Sequence, residues 1–121
     1  MNDAVLSTST ALAEHIKIAL EDGKAVDITV VKVDELTSIT DYMIIASGRS
    51  TRQLKALTSR VREAAKNADA PLLGVEGELS AEWILADLGD VVVHLMLPVT
   101  RDFYQLEKLW EERPQAQLEI V

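Results

Sequence analysis

The sequence contains no cysteine, which excludes disulfide bonds, thiol nucleophiles and cysteine-ligated metal sites. Its 121 residues include only five glycines and three prolines, and this shortage argues against a low-complexity or disordered chain. No apolar run approaches the roughly 20 residues of a membrane-spanning helix, and the first residues lack the basic start and apolar centre of a signal peptide. We therefore expect one ordered domain in the cytoplasm, without membrane association.

Positive charge is also scarce, and it is unevenly distributed. The formal net charge is −8, and residues 69–100 contain six acids but no lysine or arginine. Half of the twelve cations lie between residues 49 and 66. This polarity argues against wholesale binding to a nucleic acid backbone. It indicates that the acidic stretch attracts a basic protein surface. The alternative is that the acidic and the basic stretch are both ordinary solvent-exposed faces.

Hydrophobic periodicity predicts alternating helices and strands. Helices are predicted over 8–21 and 50–68, strands over 27–33 and 42–47, and a third strand beginning within 72–75. The second helix has an apolar stripe of Leu54, Leu57, Val61, Ala64 or Ala65, and Ala68. A last helix, capped by Thr100 and stopped by Pro114, has an apolar face of Phe103, Leu106, Leu109 and Trp110. The pattern predicts a single α/β domain, with a mixed β-sheet of about five strands and helices packed on it.

The most informative segment is 74–96, in which Gly89-Asp90 separates two apolar runs. This pair suits a two-residue hairpin loop, which places Leu88 opposite Val91 and Trp83 opposite Met96. Side chains alternate along a strand, so the hairpin has two unlike faces. The aliphatic face is predicted to join the core: Ile84, Ala86, Leu88, Val91, Val93 and Leu95. The other face is predicted to bind a partner: Trp83, Leu85, Asp87, Val92, His94 and Met96.

The segment GVEGELSAEWILADLGDVVVHLM, followed by YQLEKLW and preceded by DITVVKVDELTSITDYMIIASGRSTRQLKAL, closely resembles the ribosomal silencing factor family, also called Iojap-like. The resemblance runs from about Leu12 to Trp110. It implies a nucleotidyltransferase-like sheet topology and a non-catalytic factor. Such a factor binds the large ribosomal subunit at ribosomal protein fourteen and prevents the small subunit from joining. We accordingly predict one domain of this family over 10–113, between a flexible N-terminus (1–9) and a flexible C-terminal tail (114–121).

Six residues are predicted to contact the partner: Trp83, Leu85, Asp87, Asp90, Met96 and Glu78. The tryptophan is the first choice, because tryptophan is enriched at binding hot spots. Without the resemblance, its packing under a helix would be the simpler interpretation. The leucine and methionine would add desolvated area, and the three acids would orient the protein against lysine or arginine.

The turn from Ser47 to Thr51 leaves a second function open. It joins a strand to a helix, where an anion can bind, and the implied fold suggests residual magnesium-dependent nucleotide binding or nucleotidyltransferase activity. The carboxylate pair that such enzymes use to hold magnesium is not evident, because Asp34 and Glu35 are consecutive and would point to opposite faces of a strand. We predict no catalytic residue, no cofactor and no metal, and hence no enzyme.

Three weaker alternatives concern ligands and partners. Glu76 and Glu78, with Asp87 and Asp90, could form a divalent-metal cluster, although their simpler role is to face a basic partner. The basic helix could contact ribosomal RNA at the periphery of the footprint. An uncovered strand edge, or the apolar hairpin face, could form a homodimer.

Overall fold

The computed structural model describes residues 8–109. Its three α-helices are α1 (Thr8–Asp22), α2 (Thr51–Asn67) and α3 (Pro98–Tyr104), the last followed by a short 3-10 helix (Leu106–Leu109). Its five strands are β1 (Val26–Lys32), β2 (Tyr42–Ser47), β3 (Gly74–Glu76), β4 (Trp83–Asp87) and β5 (Val91–Met96). The expected mixed α/β domain with a five-stranded sheet is confirmed. Helix α1 begins within the stretch predicted to be flexible, while the predictions for 1–7, for Trp110 and for the tail lie outside the described residues.

The five strands form one sheet in the order β1-β2-β5-β4-β3. Its centre is a parallel pair, β2 and β5, and the other neighbours are antiparallel. Helix α2 leads from β2 to β3, which lies at the far edge of the sheet. The third strand starts at Gly74, within the predicted range, and two strands separate it from β2, because the β4–β5 hairpin lies between them.

The register predicted for the β4–β5 hairpin is confirmed. Trp83 pairs with Met96 and Asp87 pairs with Val92, and the Leu88 N–H donates to the Val91 carbonyl at 2.9 Å. Local turn chemistry accounts for this register. Gly89 has a φ of 83°, a region that glycine adopts without strain, and its N–H donates to Asp87 Oδ1 at 2.8 Å.

Helices α1 and α2 pack on the same face of the sheet, where they build the main core. All six aliphatic side chains predicted for this face of the hairpin are buried: Ile84, Ala86, Leu88, Val91, Val93 and Leu95. The apolar stripe of α2 is buried as predicted except for Ala68, which is exposed because the helix ends at Asn67. Thr58 is fully buried on this helix, and its hydroxyl donates to the Leu54 carbonyl at 2.8 Å.

The opposite face of the sheet carries a smaller apolar cluster of Val33, Met43, Ile45 and Met96. Leu106, from the 3-10 helix, and the half-buried Trp83 pack against it. The chain therefore returns from α3 across part of the face that bears no long helix.

The last helix is shorter than predicted. Pro98 occupies its first turn, where a missing N–H costs nothing, so Thr100 lies inside the helix and does not cap it. Gln105 has a left-handed backbone (φ 49°) that ends the helix. Phe103 was predicted on the inner face, but the early end of the helix leaves it 78% exposed.

Gly77, which follows β3, is expected to tolerate no side chain. Its φ is +90°, and a Cβ there would lie 2.1 Å from the Trp83 carbonyl oxygen, whereas a Cβ on Gly74 would meet nothing within 4 Å. We expect Gly77→Ala to lower the free energy of unfolding by roughly 2–3 kcal/mol, from backbone strain and the clash. Gly74→Ala is the matched control and should leave it unchanged or raise it by less than about 1 kcal/mol. Urea denaturation measures both, and equal effects would show that the close approach does not matter.

Candidate functional site

The most distinctive surface feature is an aromatic cluster at one end of the face without the two long helices. We define the aromatic cluster as Trp83, His94, Phe103 and Tyr104. The ring of Tyr104 lies 4.9 Å from that of Trp83 and 4.9 Å from that of Phe103, between centroids. Phe103 and Tyr104 are mostly exposed, at 78% and 56%. Three of the five aromatic residues of the chain thus meet at one partly solvated site, a composition typical of binding hot spots.

His94 fixes the orientation of the Trp83 indole. It lies on the adjacent strand β5, and its Nδ1 accepts the indole N–H at 2.9 Å. Accepting at Nδ1 requires the neutral imidazole with its proton on Nε2. Burial lowers the pKa of His94 to about 4, so the hydrogen bond persists throughout the neutral range.

Acid should destabilise the fold through His94. The unfolded chain takes up a proton near pH 6.5, while burial holds the folded pKa at about 4, so stability is lost as the pH falls between these values. We expect His94 to contribute about 2–3 kcal/mol to the loss between pH 7 and pH 4.5. Urea unfolding at both pH values measures it, with His94→Gln as control, because glutamine can accept the indole N–H without titrating. An identical pH dependence in the two proteins would contradict this role.

The two aliphatic residues predicted to contact the partner have different environments. Leu85 lies half-buried between its cross-strand neighbours His94 and Glu76 and exposes part of its side chain. Met96 points to the same face but is fully buried in the cluster of Val33, Met43 and Ile45. Met96 therefore offers no surface to a partner in this structure, and its prediction as a contact residue is corrected to a supporting role beneath Trp83.

The three predicted acidic residues are also not equivalent. Asp90 lies exposed at the hairpin tip, and Asp87 is half-buried, with one carboxylate oxygen held by the Gly89 N–H. Glu78 forms two hydrogen bonds with the Arg62 guanidinium, at 3.0 and 3.2 Å, so its charge is already paired within the chain. The carboxylates of Asp87 and Asp90 are therefore more available to a partner's cations than that of Glu78.

The metal alternative finds no support in the geometry. The regular strand β3 ends at Glu76, and the positive φ of Gly77 redirects the backbone before Glu78. Within residues 8–109, no three histidine or acidic side chains come together in a way that could hold a metal ion.

The turn between β2 and α2 is built as a helix cap. The Ser50 hydroxyl accepts the Gln53 N–H at 3.1 Å, and the Gln53 side chain accepts the Arg49 N–H. These two backbone donors, which an anion would need, are therefore occupied. Because β1 and β2 are antiparallel, Asp34 follows β1 at the opposite end of the sheet from this turn, so the two cannot form one site.

Arg101 is a buried residue that sequence reasoning missed. It is 9% exposed, and its Nε donates to Glu107 Oε2 at 3.0 Å. Its other nitrogens donate to the Asp27 carbonyl at 2.6 Å, the Ser47 hydroxyl at 3.0 Å and the Thr29 hydroxyl at 3.1 Å. Asp27 lies in a β-bulge with a φ of 52°, an arrangement that frees its carbonyl from the sheet. Arg101 thus joins α3, and with it the exposed aromatic residues, to β1 and β2.

A cavity of about 680 Å³ lies on the helical side of the sheet, between α1, the end of α2 and the hairpin tip. His15, Ala70 and Leu88 are among its lining residues. It is separate from the aromatic cluster. None of the helices in the described part of the chain is long and apolar enough to cross a membrane.

Comparison with solved structures supports the fold. A crystal structure of a Chromobacterium violaceum protein superposes with a TM-score of 0.82 at 44% identity, covering 87% of this chain and 88% of that one. A second, from Bacillus halodurans, has a TM-score of 0.76 at 32% identity, covering 84% and 94%.

Comparison with known sequences gives the family. A model of the family described as "ribosomal silencing factor during starvation" matches residues 6–121. The ribosomal silencing factor RsfS of Chromobacterium violaceum is 50% identical over 76% of this chain and 75% of that protein. The mouse protein named "mitochondrial assembly of ribosomal large subunit protein 1" is 40% identical over 78% of this chain and 42% of that protein. The chain belongs to the ribosomal silencing factor family.

Proposed function

We propose that this protein represses translation by binding the large ribosomal subunit and blocking the small subunit from joining. The partner is ribosomal protein fourteen of the large subunit, as the resemblance to the family implies, and the site of action is the cytoplasm. The family description names starvation, and we propose starvation as the condition under which the protein acts. The mechanism requires no catalysis and no cofactor, because a bound protein excludes the small subunit by its volume.

The exposed aromatic cluster is the observation that carries this proposal. Phe103 and Tyr104 remain largely solvated although each could bury considerable apolar area, and Trp83 connects them to the sheet. Water would be released from these rings when a partner covers them, which is the main source of affinity at protein interfaces. The name of the mouse relative supports the large subunit as the partner.

The charges on the hairpin suit a basic ribosomal protein. Asp87 and Asp90 lie at the hairpin-tip end of β4. Along the strand direction, at 3.4 Å per residue, Asp87 is about 14 Å from Trp83, and Asp90 is at most about 20 Å away because the chain turns there. A standard interface of about 800 Å² per partner spans this distance, so one contact surface can include the aromatic cluster, Leu85 and both aspartates. Attraction of this kind mainly accelerates association, and it should weaken as salt increases.

Co-sedimentation with separated ribosomal subunits tests the proposal. We expect the purified protein to pellet with the large subunit and not with the small one, and to reduce the formation of joined ribosomes. Charge reversal by the double substitution Asp87→Lys and Asp90→Lys should weaken pelleting most at low salt. The proposal fails if the protein pellets with neither subunit at moderate salt, or if it pellets with the large subunit but joining is unaffected.

Residual nucleotide binding is the alternative, and the helix cap at Ser50 argues against it. Calorimetry with a nucleoside triphosphate and magnesium distinguishes the two functions. If the protein is a silencing factor without nucleotide binding, we expect no heat of binding. If it binds nucleotide, we expect saturable binding that Arg49→Ala or Ser50→Ala weakens.

Self-association also stays a prediction. Strand β1 lies at the edge of the sheet, and Val30 on it is 37% exposed. Such an edge can pair with a second copy of the chain. Sedimentation equilibrium would detect a dimer, and Val30→Lys should dissociate it if β1 is the contact.

A further inference from the structure

The outward side of α2 carries a continuous row of positive charge. The helix contains five cations and a single carboxylate, Glu63, which borders the row. We define the basic stripe as Arg52, Lys55, Arg62 and Lys66. Their spacing of three, seven and four residues keeps them on one side of the helix, and all four are exposed.

Most of the basic stripe is available to a partner. Within residues 8–109, only Arg62 among the four takes part in an ion pair, and that pair with Glu78 is itself largely exposed. The buried side of the helix, which includes Leu54, Leu57 and Val61, fixes the rotation of α2 on the sheet. The cations are therefore held toward solvent by the packing of the core.

The basic stripe and the aromatic cluster face in opposite directions. Helix α2 packs on the sheet face that bears Ile84 and Leu95, whereas Trp83 and His94 project from the other face. A single flat partner cannot cover both surfaces. A partner of the basic stripe is therefore separate from the partner of the aromatic cluster, and the case for it does not depend on what binds that cluster.

We propose that the basic stripe binds the phosphate backbone of double-stranded RNA. Arg52 and Lys66 are 14 positions apart along the helix, or about 21 Å at 1.5 Å per residue, and a row of this length can follow several consecutive phosphates of a nucleic acid backbone. Helix α2 has no aromatic residue on which an unpaired base could stack, so a duplex is the better ligand than a single strand. The rest of the chain carries an excess of acidic residues, which repel phosphate, so the contact with RNA is limited to α2.

Fluorescence anisotropy with a labelled RNA duplex of about 20 base pairs tests the proposal on the full chain. We expect a dissociation constant in the range of roughly 1–100 µM. With three to four phosphates contacted, the affinity should fall by about 40- to 150-fold between 50 and 200 mM salt. The double variant R52E/K55E should bind at least tenfold more weakly.

Two further variants make the test specific to the stripe. K32E/K108E changes the net charge by the same amount at exposed cations on β1 and the 3-10 helix, away from α2, and should stay within twofold of the original chain. Glu78→Gln releases Arg62 from its ion pair and should strengthen binding about two- to fivefold.

Several results would overturn the proposal. These are an absence of binding at 50 mM salt, equal weakening by the two charge-reversal pairs, and tighter binding to a single strand of the same length. If R52E/K55E reduces ribosome pelleting while the duplex does not bind, the partner of α2 on the ribosome is not duplex RNA and the proposal is wrong. None of these outcomes changes the expectation for Trp83, so the two proposals fail separately.

Discussion

Trp83→Ala is expected to weaken binding to the large ribosomal subunit by about 100-fold or more, equivalent to roughly 3 kcal/mol. The indole ring lies 4.9 Å from the ring of Tyr104 and 5.9 Å from that of His94, between centroids, so its removal both deletes contact area and releases the neighbouring rings. The measurement is a titration of labelled protein against purified large subunits. Because Trp83 is half-buried, circular dichroism and the unfolding midpoint must show that the variant is folded.

Two further substitutions separate binding from stability. Tyr104→Ala removes a mostly exposed ring and should cost about tenfold in affinity with little change in the unfolding midpoint. Ile18→Ala is the matched control, because Ile18 is 47% exposed on α1, which packs on the opposite face of the sheet from Trp83. It should leave binding unchanged. A folded Trp83→Ala variant that binds as tightly as the original chain would show that the aromatic cluster is not the contact surface.

Arg101→Met is expected to lower the free energy of unfolding by about 3–5 kcal/mol. Methionine fills similar space but leaves the Glu107 carboxylate, the Asp27 carbonyl and two hydroxyls without the donor they share. The carboxylate is the costliest of these, because Glu107 Oε1 is already buried with no hydrogen-bond partner in the described part of the chain. For a domain of this size the midpoint of thermal unfolding should fall by about 10 °C or more.

A second substitution identifies the cause of this loss. Arg101→Met combined with Glu107→Gln should recover part of the stability, because the orphaned group is then neutral. Lys108→Met removes a neighbouring but exposed cation and should change stability by less than about 0.5 kcal/mol. If the double variant is no more stable than Arg101→Met alone, the loss arises from packing or the other hydrogen bonds and not from the unpaired carboxylate.

Sequence patterns predicted the parts of the fold that depend on local chemistry. The Gly89-Asp90 turn set the hairpin register, because a two-residue loop leaves only one pairing for its flanks. Alternation along that register then assigned Ile84 and Leu95 to the core. Helix α2 could also be predicted from local pattern, because its buried residues recur every three or four positions and Ser50 caps it.

Features that depend on distant partners could not be predicted. Arg101 bonds with Asp27 and Ser47, which are 74 and 54 positions away, and a lone arginine in a seven-residue helix gives no periodic signal. The burial of Met96 has the same origin: alternation assigns its face, but only the return of Leu106 across the sheet determines which part of that face is covered. The pairing of Glu78 with Arg62 likewise joins elements that no local pattern connects.

The parallel pairing of β2 with β5 has a consequence for the protein's own synthesis. The centre of the sheet joins a strand that begins at Tyr42 to one that begins at Val91, so a nascent chain that ends before β5 leaves Ile44 and Ala46 at an open edge. The sheet that supports the main core and Trp83 is therefore incomplete until β5 has been synthesised and has left the exit tunnel. The surface proposed to bind the ribosome therefore forms late in synthesis, after most of the chain has been translated.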